Sequence, residues 1–222
     1  MLVYILSEYK WGTFFMRYIF LHGLGQDSSS WDHTISFLSR HRPIDCPDLP
    51  ELLQQKEVTY NHLYASFVEY CAEIDEPLHL CGLSLGGILA LNYAIKYPER
   101  VSSLVLIGVQ HKMPKILLKF QNMIFRLIPN SAFQQMGFTK QDFIQLTNSM
   151  STLNFSKGLH NISCKALIVC GKNDHANKKA SKELTALIPT AKLQFITKAG
   201  HEVNTQAPRE LAEMIEAFYG GK

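Results

Sequence analysis

The chain lacks several features that would assign it early. It has no run of Lys or Arg: 22 basic residues set against 19 acidic ones leave a formal charge of +3, spread along 222 residues. That scatter does not suit a surface that tracks phosphates, so nucleic acid is not an expected partner. The five cysteines, at 46, 71, 81, 164 and 170, are odd in number and contain no C-x-x-C pair. This argues against a disulfide framework and against a zinc site. Cys81 and Cys170 lie inside strand-like runs, where a thiol serves as a small apolar residue. No apolar run reaches spanning length, because Glu8, Lys10 and Arg17 break the opening MLVYILSEYKWGTFFMRYIFL. The same stretch lacks a basic region followed by a small-residue cleavage site. Stable membrane insertion is therefore not expected, and a reducing, cytoplasmic setting is the simpler reading of the thiols. Met16 offers a second start, MRYIFLHG, so residues 1–15 read either as an upstream extension or as one irregular strand.

What is present is an ordinary globular composition, 46% hydrophobic and 18% charged. A chain of this length buries roughly 70% of its unfolded surface without staples. From Tyr18 onward apolar runs alternate with helical periodicity. Strands are predicted over 18–21, 78–81, 101–108, 166–170 and 192–196, with a short extended piece over 43–46. Helices are predicted over 30–40, 60–74, 86–97, 179–187 and 209–218, and Pro47 and Pro50 bracket a turn. Such spacing implies crossovers between parallel strands: an α/β fold, one domain over 1–222, with a mainly parallel sheet flanked by helices on both faces. Residues 110–160 interrupt the rhythm with two or three helices, the first apolar almost all round. They read as a helical cap over one end of the sheet, or as a subdomain with its own small core. Lys112, Lys115, Lys119 and Arg126 also leave open an apolar face flanked by cations against a membrane.

Chemistry centres on LHLCGLSLGGILALNYA, in which Ser84 lies between an apolar strand and a helix as Gly82-Leu83-Ser84-Leu85-Gly86. A strand turning sharply into a helix strains the turn residue, holds its hydroxyl out, and needs small neighbours two positions away. The alternative is a small residue filling a glycine turn. A serine nucleophile needs a base, and the base needs an acid to orient it. Of the nine histidines, His201 stands in the loop after a strand, in LQFITKAGHEVN. Asp174 follows another strand in KALIVCGKNDHAN. His79 reads as packed and His22 as a brace for its loop. All three candidates, Ser84, Asp174 and His201, follow strands, at the carboxyl ends where open α/β sheets bind ligands. Backbone N–H groups of Leu24, in YIFLHGLG, and of Leu85 are candidate donors to an oxyanion.

HG-x-G after the first strand, G-x-S-x-G at the elbow, G-x-x-D at Gly171–Asp174 and Gly200-His201 occur in that order. Together they resemble the α/β-hydrolase fold family, over about residues 18–218. One departure is CPDLPEL, where many members carry Asp-x-x-Gly-x-Gly-x-Ser; those glycines are missing here. The resemblance implies a serine hydrolase acting on a carboxylic ester or thioester through an acyl-enzyme, with no metal or organic cofactor. Ser84 would attack, His201 would accept and return the proton, and Asp174 would hold the imidazole. The same scaffold also hosts acyltransferases, C–C bond hydrolases and slow-turnover receptors. The apolar 110–160 segment argues for a small to medium, largely apolar acyl substrate. Trp31 and the Phe and Met side chains of 113–136, Phe120 and Met123 among them, are candidate pocket walls.

Overall fold

In the computed structural model, residues 16–39, 42–133 (without the side chains of Leu117 and Phe120) and 137–220 are described. The extension expected over 1–15 lies outside them. Six strands, β1 (Arg17–Leu21), β2 (Ile44–Asp45), β3 (Leu78–Leu83), β4 (Val101–Ile107), β5 (Lys165–Gly171) and β6 (Ala191–Ile196), form one sheet in the order β2-β1-β3-β4-β5-β6. Every pairing is parallel. The helices are α1 (Asp32–Ser36), α2 (Leu49–Leu53), α3 (Tyr60–Ala72), α4 (Leu85–Lys96), α5 (Lys115–Leu127), α6 (Lys140–Met150), α7 (Lys178–Leu187), α8 (Val203–Gln206) and α9 (Pro208–Gly220).

The layering follows from the strands' composition. LHLCGL of β3 is buried at every position, the mark of a strand covered on both faces. Successive side chains point to opposite faces. Ile19, Leu21, Leu80, Leu104, Leu106 and Ile168 therefore join one core with α3 and α4. Phe20, Cys81, Val105, Ile107 and Val169 join a second with residues of α9. The expected α/β class with helices on both faces is what the structure has. Chain order reverses at β1, which lies between β2 and β3. The loops after β1 and β3 thus open on a switch point, where such sheets form a crevice.

Three local expectations change. The helix expected over 30–40 is a 3-10 turn (Ser28–Trp31) followed by the short α1. Asp48 holds its start, accepting from the Ser28 backbone N–H at 2.6 Å and from the Ser28 hydroxyl at 3.0 Å. The turn expected between Pro47 and Pro50 contains the start of α2, with Pro50 in its first turn, where a missing N–H costs nothing. The short α8 was not anticipated at all. Between β4 and β5, α5 packs on α6 around edge-on aromatic pairs: Phe125–Phe143 at 5.4 Å, Phe133–Phe143 at 4.9 Å and Phe138–Phe143 at 6.2 Å. Among the described residues no helix is long and apolar enough to cross a membrane.

Candidate active site

Ser84 is the residue between β3 and α4, and its backbone has φ 51° and ψ −113°. A non-glycine residue there is strained, and the surroundings hold it in place. Its N–H donates to the Ile107 carbonyl at 2.9 Å, and its carbonyl accepts from Ile88 N–H at 2.9 Å. Glycine at 82 and 86 is sterically required. A Cβ on Gly82 would stand 2.5 Å from the backbone of Gly86 and Gly87, and one on Gly86 would collide with the Leu21 carbonyl. The Gly86 N–H instead donates to the His22 carbonyl at 3.2 Å, joining the elbow to the loop after β1.

That loop is braced by His22, which is buried. With Nδ1–H donating to the Gly23 carbonyl at 2.9 Å, Nε2 accepts from the Leu49 N–H at 3.0 Å. Burial pushes its ring below the ordinary histidine value, against smaller opposing effects of Gly23, Asp48 and Asp27. A ring that needs one nitrogen as acceptor is neutral, so its approach to Asp48 at 3.7 Å is not an ion pair. His79 is likewise packed: Nδ1 lies 2.7 Å from the Ser103 hydroxyl, and the ring stacks on Tyr18 at 4.4 Å.

Asp174 and His201 come together from the ends of β5 and β6. Lys172 N–H donates to the Ile196 carbonyl at 2.8 Å and Asn173 N–H to the Ala199 carbonyl at 2.9 Å, stitching the two loops. Asp174 Oδ2 then lies 2.8 Å from His201 Nδ1. The carboxylate also receives Asn177 Nδ2, at 2.9 Å from Oδ1 and 2.8 Å from Oδ2, and the Asn177 backbone N–H at 3.3 Å. Burial alone would raise the Asp174 carboxyl, but the hydrogen bonds from His201 and Asn177 outweigh it and hold it below the usual carboxylate value. The Asn177 amide nitrogen also lies 3.1 Å from His201 Nδ1. It can donate there only in the other tautomer; the charge-assisted bond to the carboxylate favours Nδ1–H. Nε2 is then the ring's free acceptor.

Two residues here were not singled out from sequence. Asn177 is buried, and Gln110 fixes it by donating to its Oδ1 at 2.7 Å. Gly108, just after β4, has φ +60°, and a Cβ there would stand 2.9 Å from His201 Nδ1 and 3.3 Å from Asp174 Oδ2. The sequence signals were faint: a glycine ending an apolar run, and an asparagine at the start of a helix. Gln26 and Asn204 form a further tie, each amide donating to the other at 3.2 and 3.1 Å, and Gly23 N–H donates to Gln26 Oε1 at 3.3 Å. The loop after β1 is thereby linked to the segment after His201.

Ser84, Asp174 and His201 share one cavity of about 280 Å³ with Leu24 and Leu85. As the first residue of α4, Leu85 has an N–H with no acceptor inside the helix. The remaining wall is largely apolar: Ile88, Met113, Pro114, Leu118 and Met150, with Gln110, Gln121 and Thr147 as polar members. Two of the pocket walls expected from sequence are corrected. Trp31 is fully buried against Phe20 in the core on one face of the sheet, because its indole fills space under α9. Met123 is 52% exposed on the outer side of α5, where helical periodicity turns it away from Leu118 and Gln121. The side chain of Phe120 lies outside the described residues. Among those residues no three His, Cys, Asp or Glu side chains are arranged to hold a metal ion.

The alpha/beta hydrolase family model matches residues 18–214. The chain belongs to the alpha/beta hydrolase family. A putative 2-succinyl-6-hydroxy-2,4-cyclohexadiene-1-carboxylate synthase of Bacillus subtilis is 25% identical over 89% of this chain and 88% of its own. A pimeloyl-[acyl-carrier protein] methyl ester esterase of Aeromonas hydrophila is 26% identical, covering 91% of this chain and 94% of its own. The solved structure of MenH from S. aureus superposes with a TM-score of 0.78 at 18% identity, over 92% of this chain and 93% of that one, a likeness of fold. Family membership, with an esterase among the relatives, supports an ester-acting hydrolase. The segment CPDLPEL contains no glycine. Asp48 is still there, used to hold Ser28.

Proposed function

We propose that this alpha/beta hydrolase is a serine hydrolase that cleaves the carboxylic ester or thioester of a small to medium, largely apolar acyl substrate. The observation that carries this reading is Ser84 at a strained elbow, sharing one cavity with a hydrogen-bonded His201–Asp174 pair. Ser84 Oγ attacks the carbonyl carbon while His201 Nε2 takes its proton. The proton then passes to the leaving alcohol or thiol as the acyl-enzyme forms. Water attacks that ester with His201 again as base, releasing the acid and restoring Ser84. Asp174 keeps the imidazole in the Nδ1–H tautomer and stabilises the imidazolium. The N–H groups of Leu24 and Leu85 receive the oxyanion, and α5 and α6 act as the cap that lines the acyl pocket. The five free cysteines fit the cytoplasmic setting expected from sequence.

The test is hydrolysis of short p-nitrophenyl esters together with labelling by a fluorophosphonate. Ser84→Ala should lose activity by about 10³-fold or more and lose the label. A Ser84→Ala protein that still hydrolyses the esters sinks the reading. The relative named as a synthase favours a second reading, in which the same residues serve transfer or carbon–carbon chemistry instead of ester hydrolysis. Full fluorophosphonate labelling with no ester turnover would select it.

A further inference from the structure

Helix α5 has two unlike sides. Leu118 and Gln121 face the cavity, and Phe125 packs against Phe143 at 5.4 Å. On the other side Ile116 is 87% exposed, Met123 52%, Ile124 40% and Leu127 80%. These four fall at i, i+7, i+8 and i+11, which puts them on one stripe of a helix. Lys115, Lys119 and Arg126, at i, i+4 and i+11, are all exposed and form a second stripe along one edge of the first. Soluble surfaces carry isolated apolar residues, but an apolar stripe of this size on one helix marks a contact surface.

The charge around the stripe says what kind of contact. Across 110–160 the basic residues are Lys112, Lys115, Lys119, Arg126, Lys140 and Lys157, against the single acid Asp142. Asp142 is engaged by the backbone and hydroxyl of Thr139, at 2.8 and 2.7 Å, in the capping box of α6. Lys140 closes the other end by donating to the Arg126 carbonyl at 2.9 Å. A short helix with an apolar face, a cationic flank and no acid matches the chemistry of an anionic bilayer surface. Its apolar side chains enter the acyl region while lysine and arginine heads meet phosphates. We propose that the outer face of α5 docks on an anionic lipid surface. Docking would bring the Ser84 cavity to within about one helix diameter, ~10 Å, of the lipid.

The test uses the full chain carrying Ser84→Ala, so that lipid is not consumed and binding is read without turnover. The outcome is therefore independent of whether Ser84 is the nucleophile. Co-sedimentation should show binding to mixed phosphatidylcholine–phosphatidylglycerol vesicles, weakening with added salt, and none to phosphatidylcholine alone. Each cation at an anionic surface is worth about fivefold in affinity, so Lys115→Gln/Lys119→Gln/Arg126→Gln should weaken binding roughly a hundredfold. Ile116→Ser/Leu127→Ser should weaken it about tenfold or more. Both sets of changes lie on exposed positions away from the cavity. Placed on the Ser84 parent, they should leave hydrolysis of a soluble ester unchanged, which reports correct folding. Equal binding to both vesicle types, or undiminished binding in both variants, overturns the proposal. So does absence of vesicle binding with a concentration-dependent dimer that Ile116→Ser/Leu127→Ser abolishes; the face would then belong to a second copy of this chain.

Discussion

Two sides of one cavity are held by different means. On the strand side, Ser84, Asp174 and His201 stand on loops stitched to one another by backbone hydrogen bonds and by buried amides, with Asn177 and Gln110 behind them. On the helix side, α5 and α6 are held by edge-on phenylalanines and leave an apolar stripe facing out. Hydrogen bonds fix direction to a fraction of an ångström, whereas apolar packing tolerates exchange of one side chain for another. On the proposed function the division suits a catalyst: reacting atoms need placement, while an acyl chain needs only a fitting apolar wall. Changes on the strand side should therefore cut turnover, and changes on the helix side should shift substrate preference.

The largest expected effect sharpens that contrast. Asp174→Asn keeps the shape of the pair but lets the amide favour the wrong imidazole tautomer. A loss in kcat of about 10⁴-fold is expected, with KM little changed. A loss confined to KM would show that Asp174 is not the orienting group. Next is the acid stability of the sheet. Burial pushes the His79 ring down to about 4 from an ordinary 6.5, with Lys165 and Arg42 adding to the effect. Between those values the unfolded chain binds the extra proton and the folded one does not. Stability should thus fall as pH drops through this window, by about 3 kcal/mol in total. Urea midpoints measured across it should flatten in His79→Asn, with His22 leaving a residual slope because burial lowers it too. An unchanged slope in the variant would break the assignment.

The strand side was also the legible side. Strand runs such as LHLCGL, the glycines about Ser84 and the positions of Asp174 and His201 carry signals within a few residues, because strand-to-helix turns are locally constrained. Trp31 misled because a large aromatic beside an HG-x-G loop is a candidate pocket wall, although such a residue is more often core. Only the packing against Phe20 and the helices over it decides. Met123 misled because α5 carries apolar side chains on both its cavity side and its outer side, so periodicity did not reveal which stripe meets the cavity. Asn177 was overlooked because an asparagine three residues after Asp174 reads as an ordinary turn residue; only the approach of His201 and Gln110 shows that it belongs to the pair.

Asn177→Ala gives a middle-sized test of the stitched side. It removes the side-chain donor to both Asp174 oxygens, and a hydrogen bond to a charged group is worth about 10- to 100-fold. The fall should appear in kcat. Asp174 stabilises the fold above the ordinary carboxylate range, and this is lost as pH falls through its lowered value. Its onset is set by the unfolded carboxyl, so without Asn177 the loss should be smaller and should end at a higher pH. If the acid limb of stability stays where it was, Asn177 is only packing.

The smallest effect is expected on the helix side. Leu118 is half-buried and lines the cavity from α5. Leu118→Ala removes part of an apolar wall and none of the hydrogen-bonded framework. A few missing methyl groups in a pocket change discrimination by about 10-fold at most where the wall can relax. Turnover of a p-nitrophenyl acetate should stay near normal, while kcat/KM for a hexanoate should fall by roughly fivefold. The ratio of the two esters is the measurement. An equal fall for both would mean that α5 helps place Ser84, His201 or Asp174, and the two sides of the cavity would not be separable.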